Sequence, residues 1–426
     1  MKSEYSNTAG EGPVNIMFLD HTARLGGGEI ALLHLINHLD KRRFRPAVVL
    51  GEEGPLAGKL RESGIDTTVL PLAAHVANTR KDSLGAASLL KIRAIGASLM
   101  YAWRLAQVIE SRGVRLLHTN SLKADLIGGI AARLAGVPVV WHIRDRIESD
   151  YLPRAAVAIF RWLCYLIPDF VVANSVATLK SLRLPGSTRY SVVHSGYSRV
   201  SRSSAVVHEG IQRRAAAVKS DPHTIRVGLV GRIARWKGQH IFIDAAARVR
   251  ERFPDAKFQI IGCAMFGEDA FEREIRERVK SLGLEENVEF LGFRTDVPDL
   301  MDQLDVLVHA SITGEPFGQV ITEAMIAAKP VVATRGGGVP EIVEEGVTGF
   351  LVPMGDAGAM AEAICKLLDD PQRAAEMGVA GRARALRYFT VEDTARRIEY
   401  VFERVLNRNG RTPSAPVLPD AEALAS

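Results

Sequence analysis

Two doubly wound α/β domains with parallel sheets are the fold class that this sequence predicts, on three observations. The chain has 426 residues, beyond the length at which a single core stops growing. Short β-branched runs alternate with longer helical patterns from end to end, as parallel strands joined by crossover helices require. The alternation also begins twice, with a polar stretch between the two series.

The first series places strands at Val14–Asp20, Pro46–Leu50, Thr67–Leu70, Val114–His118, Pro138–Ile143, Phe170–Asn174 and Tyr190–His194. The second places them at Ile225–Val230, Lys257–Ile261, Val288–Leu291, Val306–His309, Pro330–Ala333 and Phe350–Val352. This predicts an N-terminal domain over 1–195, a linker over 196–224 with a Ser and Arg cluster, and a C-terminal domain over 225–390. A crossover helix is expected over 391–408, because Val391, Ala395, Ile398, Val401, Phe402 and Val405 recur at helical spacing. The residues 409–426 hold Pro413, Pro416 and Pro419 with little periodicity and are expected to be a disordered tail. Ligands of two such domains are expected in an interdomain cleft, outside the carboxyl ends of the strands.

Composition narrows the class of function. A hydrophobic share of 47% supports two cores, and the net charge of +5 is mildly basic. From His75 to Arg115, seven Lys or Arg (Arg80, Lys81, Lys91, Arg93, Arg104, Arg112, Arg115) stand against two acids (Asp82, Glu110). Such a segment reads either as a solvated helix face or as a surface for anionic lipid or a phosphorylated acceptor. The three cysteines, Cys164, Cys263 and Cys365, lie far apart without metal-ligand spacing, which argues for a reducing compartment and against a disulfide framework or a zinc site. The residues Met1 to Pro13 lack the apolar core of a signal peptide. The apolar run Ala155 to Ile167 is interrupted by Arg161 and falls short of the ~20 residues that span a bilayer, so a buried or peripheral helix is expected there.

The residues that can carry chemistry follow predicted strands. Gly26-Gly27-Gly28-Glu29 follows the first strand and opens a helix. It is either a tight turn or a loop whose backbone approaches a phosphate, and it is not the spaced fingerprint of a nicotinamide or flavin cofactor. Gly231-Arg232-Ile233-Ala234-Arg235-Trp236-Lys237-Gly238 follows the first strand of the second series, where Arg232 and Lys237 can converge on one diphosphate or remain solvated charges. His118 and His142 end successive strands and are either satisfied structural residues or functional ones; His142 precedes Arg144 and Asp145, a cluster suited to sugar hydroxyls or an acceptor phosphate. His309 and Ser311 receive no role. In Glu315-Pro316-Phe317-Gly318-Gln319-Val320-Ile321-Thr322-Glu323 a helix starts between two carboxylates. Its free N–H groups form an anion cradle between them. The alternative is a turn residue and a carboxylate stabilised by the helix dipole.

Taken in order, these motifs resemble the retaining glycosyltransferases of sequence family four, which have the GT-B architecture of two Rossmann-like domains. The resemblance runs from Gly26-Gly27-Gly28-Glu29 to Gly346-Val347-Thr348-Gly349-Phe350-Leu351-Val352. It implies that Arg232 and Lys237 bind the donor diphosphate, that Glu315 faces the transferred sugar and that Glu323 holds the nucleotide ribose. It also implies that the backbone of Gln319 and Val320, and the loop of Gly26 and Gly27, approach the phosphates or sugar, and that His142 lies beside the sugar. Phe317 and Gly318 complete the expected donor-binding set, and His142, Arg232, Lys237 and Glu315 the catalytic set. Two departures, His194-Ser195-Gly196-Tyr197-Ser198 and Gly262-Cys263-Ala264, leave the hinge-side contacts and the choice between UDP- and GDP-sugars open.

The function implied is transfer of a hexose-like unit from a nucleotide-diphosphate sugar to a glycan or lipid-linked acceptor, with no cofactor, metal or nucleic acid. The location implied is the cytoplasm, with peripheral contact at the inner face of the cytoplasmic membrane as a hypothesis. A nucleotide-sugar epimerase of the same architecture and a catalytically silent nucleotide-sugar-binding scaffold are the rival readings.

Overall fold

In a computed structural model, residues 12–72, 88–197, 224–265 and 267–407 are described, the side chains of 88–94 excepted. Most of the expected linker, the whole of the expected tail and the first part of the basic segment from His75 lie outside them. The described residues group into two compact units, one from 12–174, 178–193 and 394–407, the other from 175–177 and 194–393.

The first unit is built on a seven-stranded parallel sheet of β1 (Val14–Asp20), β2 (Phe44–Leu50), β3 (Asp66–Val69), β4 (Leu116–Thr119), β5 (Val139–Ile143), β6 (Phe170–Ala173) and β7 (Tyr190–Val192), in the order β3-β2-β1-β4-β5-β6-β7. The central strands are mostly apolar because helices cover both faces. The helices here are α1 (Gly27–His38), α2 (Pro55–Glu62), α3 (Ser88–Ser111), α4 (Leu122–Leu134), α5 (Arg154–Leu166) and α6 (Val176–Leu182), the last of which begins in residues grouped with the second unit. Leu32, Leu35 and Ile36 of α1 pack on one face of the sheet, joined by Ile398, Val401 and Phe402 from the end of the chain. Tyr101 and Leu105 of α3, Ala131 of α4 and Phe160 of α5 pack on the other. Two glycines bring α4 close to the sheet: a Cβ at Gly128 would lie 2.7 Å from a Thr119 methyl, and one at Gly129 would lie 2.6 Å from Ile167 and 3.0 Å from the Trp141 ring.

The second unit repeats the plan. Strands β8 (Arg226–Val230), β9 (Lys257–Ile261), β10 (Val288–Gly292), β11 (Val306–His309), β12 (Val331–Thr334) and β13 (Gly349–Val352) form a parallel sheet in the order β10-β9-β8-β11-β12-β13. Its helices are α7 (Gln239–Arg250), α8 (Asp269–Ser281), α9 (Val297–Gln303), α10 (Gln319–Ile326), α11 (Val339–Ile342), α12 (Ala357–Asp369) and α13 (Pro371–Tyr388), and α14 (Val391–Leu406) follows. Phe242, Ile275 and Ile364 fill the core on one face, and Ile321, Met325 and Phe389 fill it on the other.

The thirteen strands among the described residues all overlap those expected from the sequence, and β1, β9 and β11 have the expected limits. In each sheet the winding reverses once, between β1 and β4 in the first unit and between β8 and β11 in the second. Crossovers leave such a point in opposite directions, so the loops that follow the two strands diverge and open a crevice at their carboxyl ends. The polar clusters of both units sit at these two points.

Candidate functional site

In the second unit, the loop after β8 closes with a 3-10 turn, Arg235–Lys237, and Gly238 then caps α7. Gly238 has φ 72°, and a Cβ there would run into the carbonyl oxygen of Ala310. Only glycine lets the loop after β8 lie this close to the loop after β11. Trp236 O accepts the Ile312 N–H at 2.9 Å and ties the loops together again. Gln239, fully buried, holds the approach: its Nε2 donates to Arg232 O at 2.9 Å and its Oε1 accepts the Ala234 N–H at 3.4 Å.

This geometry delivers Lys237 to Glu315. The ammonium donates to Oε1 at 3.0 Å and Oε2 at 2.8 Å, and the side chains are only 20% and 12% exposed. Oε2 also accepts the Ser311 hydroxyl at 3.0 Å and lies 3.2 Å from His309 Nε2. Thr334 Oγ1 donates to Ser311 O at 2.8 Å and lies 3.3 Å from His309 Nδ1, bracing the ring from behind. Burial alone would raise the Glu315 pKa, but the Lys237 charge and the His309 hydrogen bond outweigh it and hold the carboxyl well below its usual range. Glu315 is thus an anion throughout the physiological range, with Lys237 as its counterion.

The chain then enters α10. Phe317 turns its ring into the core, 5.5 Å from the His194 ring and 5.8 Å from Phe389, so only its backbone remains for a ligand. Gly318, with φ 110°, is the N-cap. The N–H groups of Gln319 and Val320 begin the helix and have no intrahelical acceptor. The Gln319 amide Nε2 is buried without a hydrogen-bond partner among the described residues. The Glu315 backbone is braced by Gly338, whose N–H donates to Glu315 O at 2.8 Å. Glu323, one turn into α10, differs from Glu315: burial pushes its carboxyl up to about 7. Two carboxylates flank the same helix start, one firmly ionised and one near neutrality, a separation that assigns them different work.

In the first unit, Asp20 ends β1 and accepts from Asn120 Nδ2 at 2.7 Å, Ser121 Oγ at 2.9 Å and His21 Nδ1 at 3.2 Å. These donors overcome the effect of burial and lower its pKa. Asn120 is the hub, since its Nδ2 also reaches Gly28 O at 3.3 Å and its Oδ1 accepts Arg144 Nε at 2.6 Å. The glycine loop of Gly26 and Gly27 is closed by Glu29, which accepts the Gly26 N–H at 3.0 Å. Burial, with the nearby charge of Asp20, pushes the Glu29 carboxyl up to about 7.

His142 is wholly buried. Its Nδ1 lies 3.2 Å from His118 Nε2 and 3.4 Å from Arg144 Nη2. Burial, with the Arg144 charge, depresses both imidazoles, His118 to about 3 and His142 well below its ordinary value, so both are neutral. Arg144 donates to His142 Nδ1, which puts the His142 proton on Nε2. That nitrogen is buried and unpartnered among the described residues. Burial also draws Arg144 down to about 10, against the pull of Asp20, Glu29 and Asp125.

Lys237 and Glu315 are brought together, with α10 starting at Gln319, four residues on. Arg232, partly exposed, keeps its place in the loop after β8. Sequence reasoning passed over Asp20, Asn120 and Gln239, and gave His309 and Ser311 no role. The signal for four of these was position, since Asp20 and His309 close a strand while Asn120 and Ser311 follow one.

Two doubly wound units with polar clusters at the carboxyl ends of their strands constitute the GT-B class of fold. Residues 25–199 match the family model Glycosyltransferase Family 4, and residues 212–384 match Glycosyl transferases group 1. The chain is 35% identical over 287 residues to the lipopolysaccharide core biosynthesis mannosyltransferase LpsB of Rhizobium meliloti, covering 63% of this chain and 80% of that protein. It is 35% identical over 176 residues to a D-inositol 3-phosphate glycosyltransferase of Corynebacterium urealyticum, 40% of this chain and 41% of that one. Among solved structures it is similar to Anabaena Alr3699/HepE in complex with UDP-glucose, with a TM-score of 0.76 and 28% identity over 91% of this chain and 99% of that one. The chain belongs to glycosyltransferase family 4 and is a glycosyltransferase, as the motif order implied. Family membership selects glycosyl transfer over the epimerase and scaffold readings.

Proposed function

We propose that the protein moves a hexose from a uridine diphosphate sugar to a glycan or lipid-linked acceptor, with retention of anomeric configuration. The observation that carries this reading is the Lys237–Glu315 pair immediately before the α10 N-terminus. The uridine base is supported by the UDP-glucose complex of the similar HepE protein. The glycan acceptor is supported by the likeness to a lipopolysaccharide core mannosyltransferase.

In this reading Lys237 and Arg232 take the diphosphate, aided by the N–H groups of Gln319 and Val320. Negative charge grows on the phosphate as the bond from the anomeric carbon to the phosphate oxygen breaks, and fixed cations with a helix N-terminus stabilise it without reorganising. The acceptor oxygen bonds to the same carbon from the same face, and its proton passes to the departing phosphate oxygen. Glu315, already ionised, accepts hydrogen bonds from sugar hydroxyls. Glu323, near neutrality, both donates to and accepts from the ribose hydroxyls. In the first unit, the loop of Gly26 and Gly27 offers backbone to an anion, and His142 stays enclosed behind Arg144. A lipid-linked acceptor would be met in the cytoplasm, at the inner face of the membrane.

Calorimetric titration with UDP- and GDP-hexoses tests the donor, followed by acceptor screening and NMR of the product anomer. Binding of UDP-sugars that Lys237→Ala abolishes is the expected result. Binding of no nucleotide sugar, or an inverted product, overturns the reading.

A further inference from the structure

Helix α5 is apolar on both of its sides. Val157, Phe160 and Cys164 point inward to the core. Outward stand Ile159, Trp162, Tyr165 and Leu166, which are 58, 61, 47 and 46% exposed. A surface helix ordinarily gives its outer side to charged residues. The only ones in α5 are Arg154 at its first position and Arg161, which is turned inward to donate to Ser181 O and Ile147 O, each at 2.8 Å.

Helix α3, which covers the same sheet face, repeats the pattern. Ile95, Leu99 and Trp103 follow one another at four-residue spacing and are 58, 50 and 51% exposed. Helix α4 packs against α3 and is fastened to the end of α5, where Arg133 Nη2 donates to Ile167 O at 2.6 Å. Leu134 is exposed beside that bond. One helical layer of the first unit thus shows a broad apolar outer surface, of a kind that marks an interaction site.

We propose that the outer surface of α3 and α5 seats the protein on an anionic lipid bilayer. The side chains match the boundary of a membrane, for Trp103, Trp162 and Tyr165 combine an apolar ring with a polar tip. The charges match its sign: among the described side chains of α3, α4 and α5, Arg104, Lys123, Arg133 and Arg154 stand against two acids, Glu110 and Asp125, with Arg161 turned inward. Asp125 is buried. A second copy would bring the same excess of positive charge to this surface, whereas anionic headgroups neutralise it. No helix among the described residues is long and apolar enough to cross a membrane, so α3 and α5 lie in the interface with their outer sides immersed. This deepens the proposal of a lipid-linked acceptor and rests on it only for its biological purpose.

The test is sedimentation of the full chain with vesicles, without donor or acceptor. Vesicles of phosphatidylcholine mixed with phosphatidylglycerol are expected to carry the protein down, those of phosphatidylcholine alone to do so less, and added salt to release it. The double substitution Ile159→Ser with Trp162→Ser is expected to lower partitioning by at least about tenfold, since each lost apolar side chain forfeits its transfer from water. Circular dichroism and nucleotide-sugar binding should remain unchanged. Trp103→Ser on α3 provides an independent reading should that pair fail to fold. A parent protein that stays in the supernatant with both vesicles overturns the proposal, as do variants that sediment like the parent. A parent dimer that the double variant converts to monomer, seen by ultracentrifugation, assigns the surface to a second copy and also overturns it. None of these results touches donor binding, so glycosyl transfer stands or falls separately.

Discussion

Lys237 and Glu315, 78 residues apart in sequence, neutralise one another at the point where the second sheet reverses its winding. The ammonium is further held 4.2 Å above the Trp236 ring. Removing either charge leaves the other partly buried, and Ser311 and His309 alone must then satisfy Glu315.

Lys237→Ala is therefore expected to cost stability and catalysis together. Loss of one partner from a mostly enclosed pair costs about 1–3 kcal/mol in unfolding free energy, measured with urea. The fall in kcat/KM should be larger, about 10²–10³-fold, because the same ammonium is assigned to the leaving diphosphate. Unchanged kcat/KM in a folded variant would dismiss that assignment.

Glu323 makes a prediction in pH. Burial raises its carboxyl from 4.5 to about 7, so between those values the folded protein keeps a proton that the unfolded chain releases. The group therefore weakens the fold progressively as pH rises through that window. Glu323→Gln cannot ionise, so its stability relative to the parent should rise with pH, by roughly 1–3 kcal/mol between about pH 4.5 and pH 8. Glu29, also raised to about 7, keeps a slope of the same sign in the variant. Thermal unfolding across the range checks this, and a difference that is constant with pH would count against it.

Asn120→Ala should loosen the glycine loop. The substitution strips partners from Asp20, Arg144 and Gly28 O at once, which costs about 1–3 kcal/mol for groups with little access to water. If the loop serves the donor, its affinity falls while kcat changes less. A variant of parental stability and donor affinity would show the hub to be dispensable.

Gly238→Ala places a side chain in left-handed backbone and against the Ala310 carbonyl. Strain of about 1–2 kcal/mol plus the clash should lower Tm by about 5–10 °C. Lys237 stands next to it, so donor binding should fall as well. Scanning calorimetry with donor titration checks both.

Much of this fold was legible in the residues themselves. Short β-branched and apolar runs bounded by turn residues mark strands, and Lys257–Ile261 and Val306–His309 are found with their observed limits. The α10 start between Glu315 and Glu323 was legible for a related reason, since Gly318 interrupts one pattern and a helical one begins. The pairing of Lys237 with Glu315 was not, because it depends on which strands become neighbours. Phe317 sits among ligand-binding candidates in sequence yet turns to the core, a choice that alternation cannot reveal within a turn. His142 belongs to a polar cluster as expected, but its ring is enclosed, with Arg144 closer to solvent. Asp20, Asn120 and Gln239 belong to no recurrent motif, and only assembled strands bring out their bonds.

Gly128 and Gly129 have a genetic consequence. Their missing side chains set the height of α4 above the sheet, and α3 rests on α4. A larger residue at either position would act as a lever, lifting a whole rod of structure rather than disturbing one contact. The underside of α4 has no room for an added side chain at these two positions. A screen for temperature-sensitive alleles in this part of the protein should return these two codons ahead of any surface position.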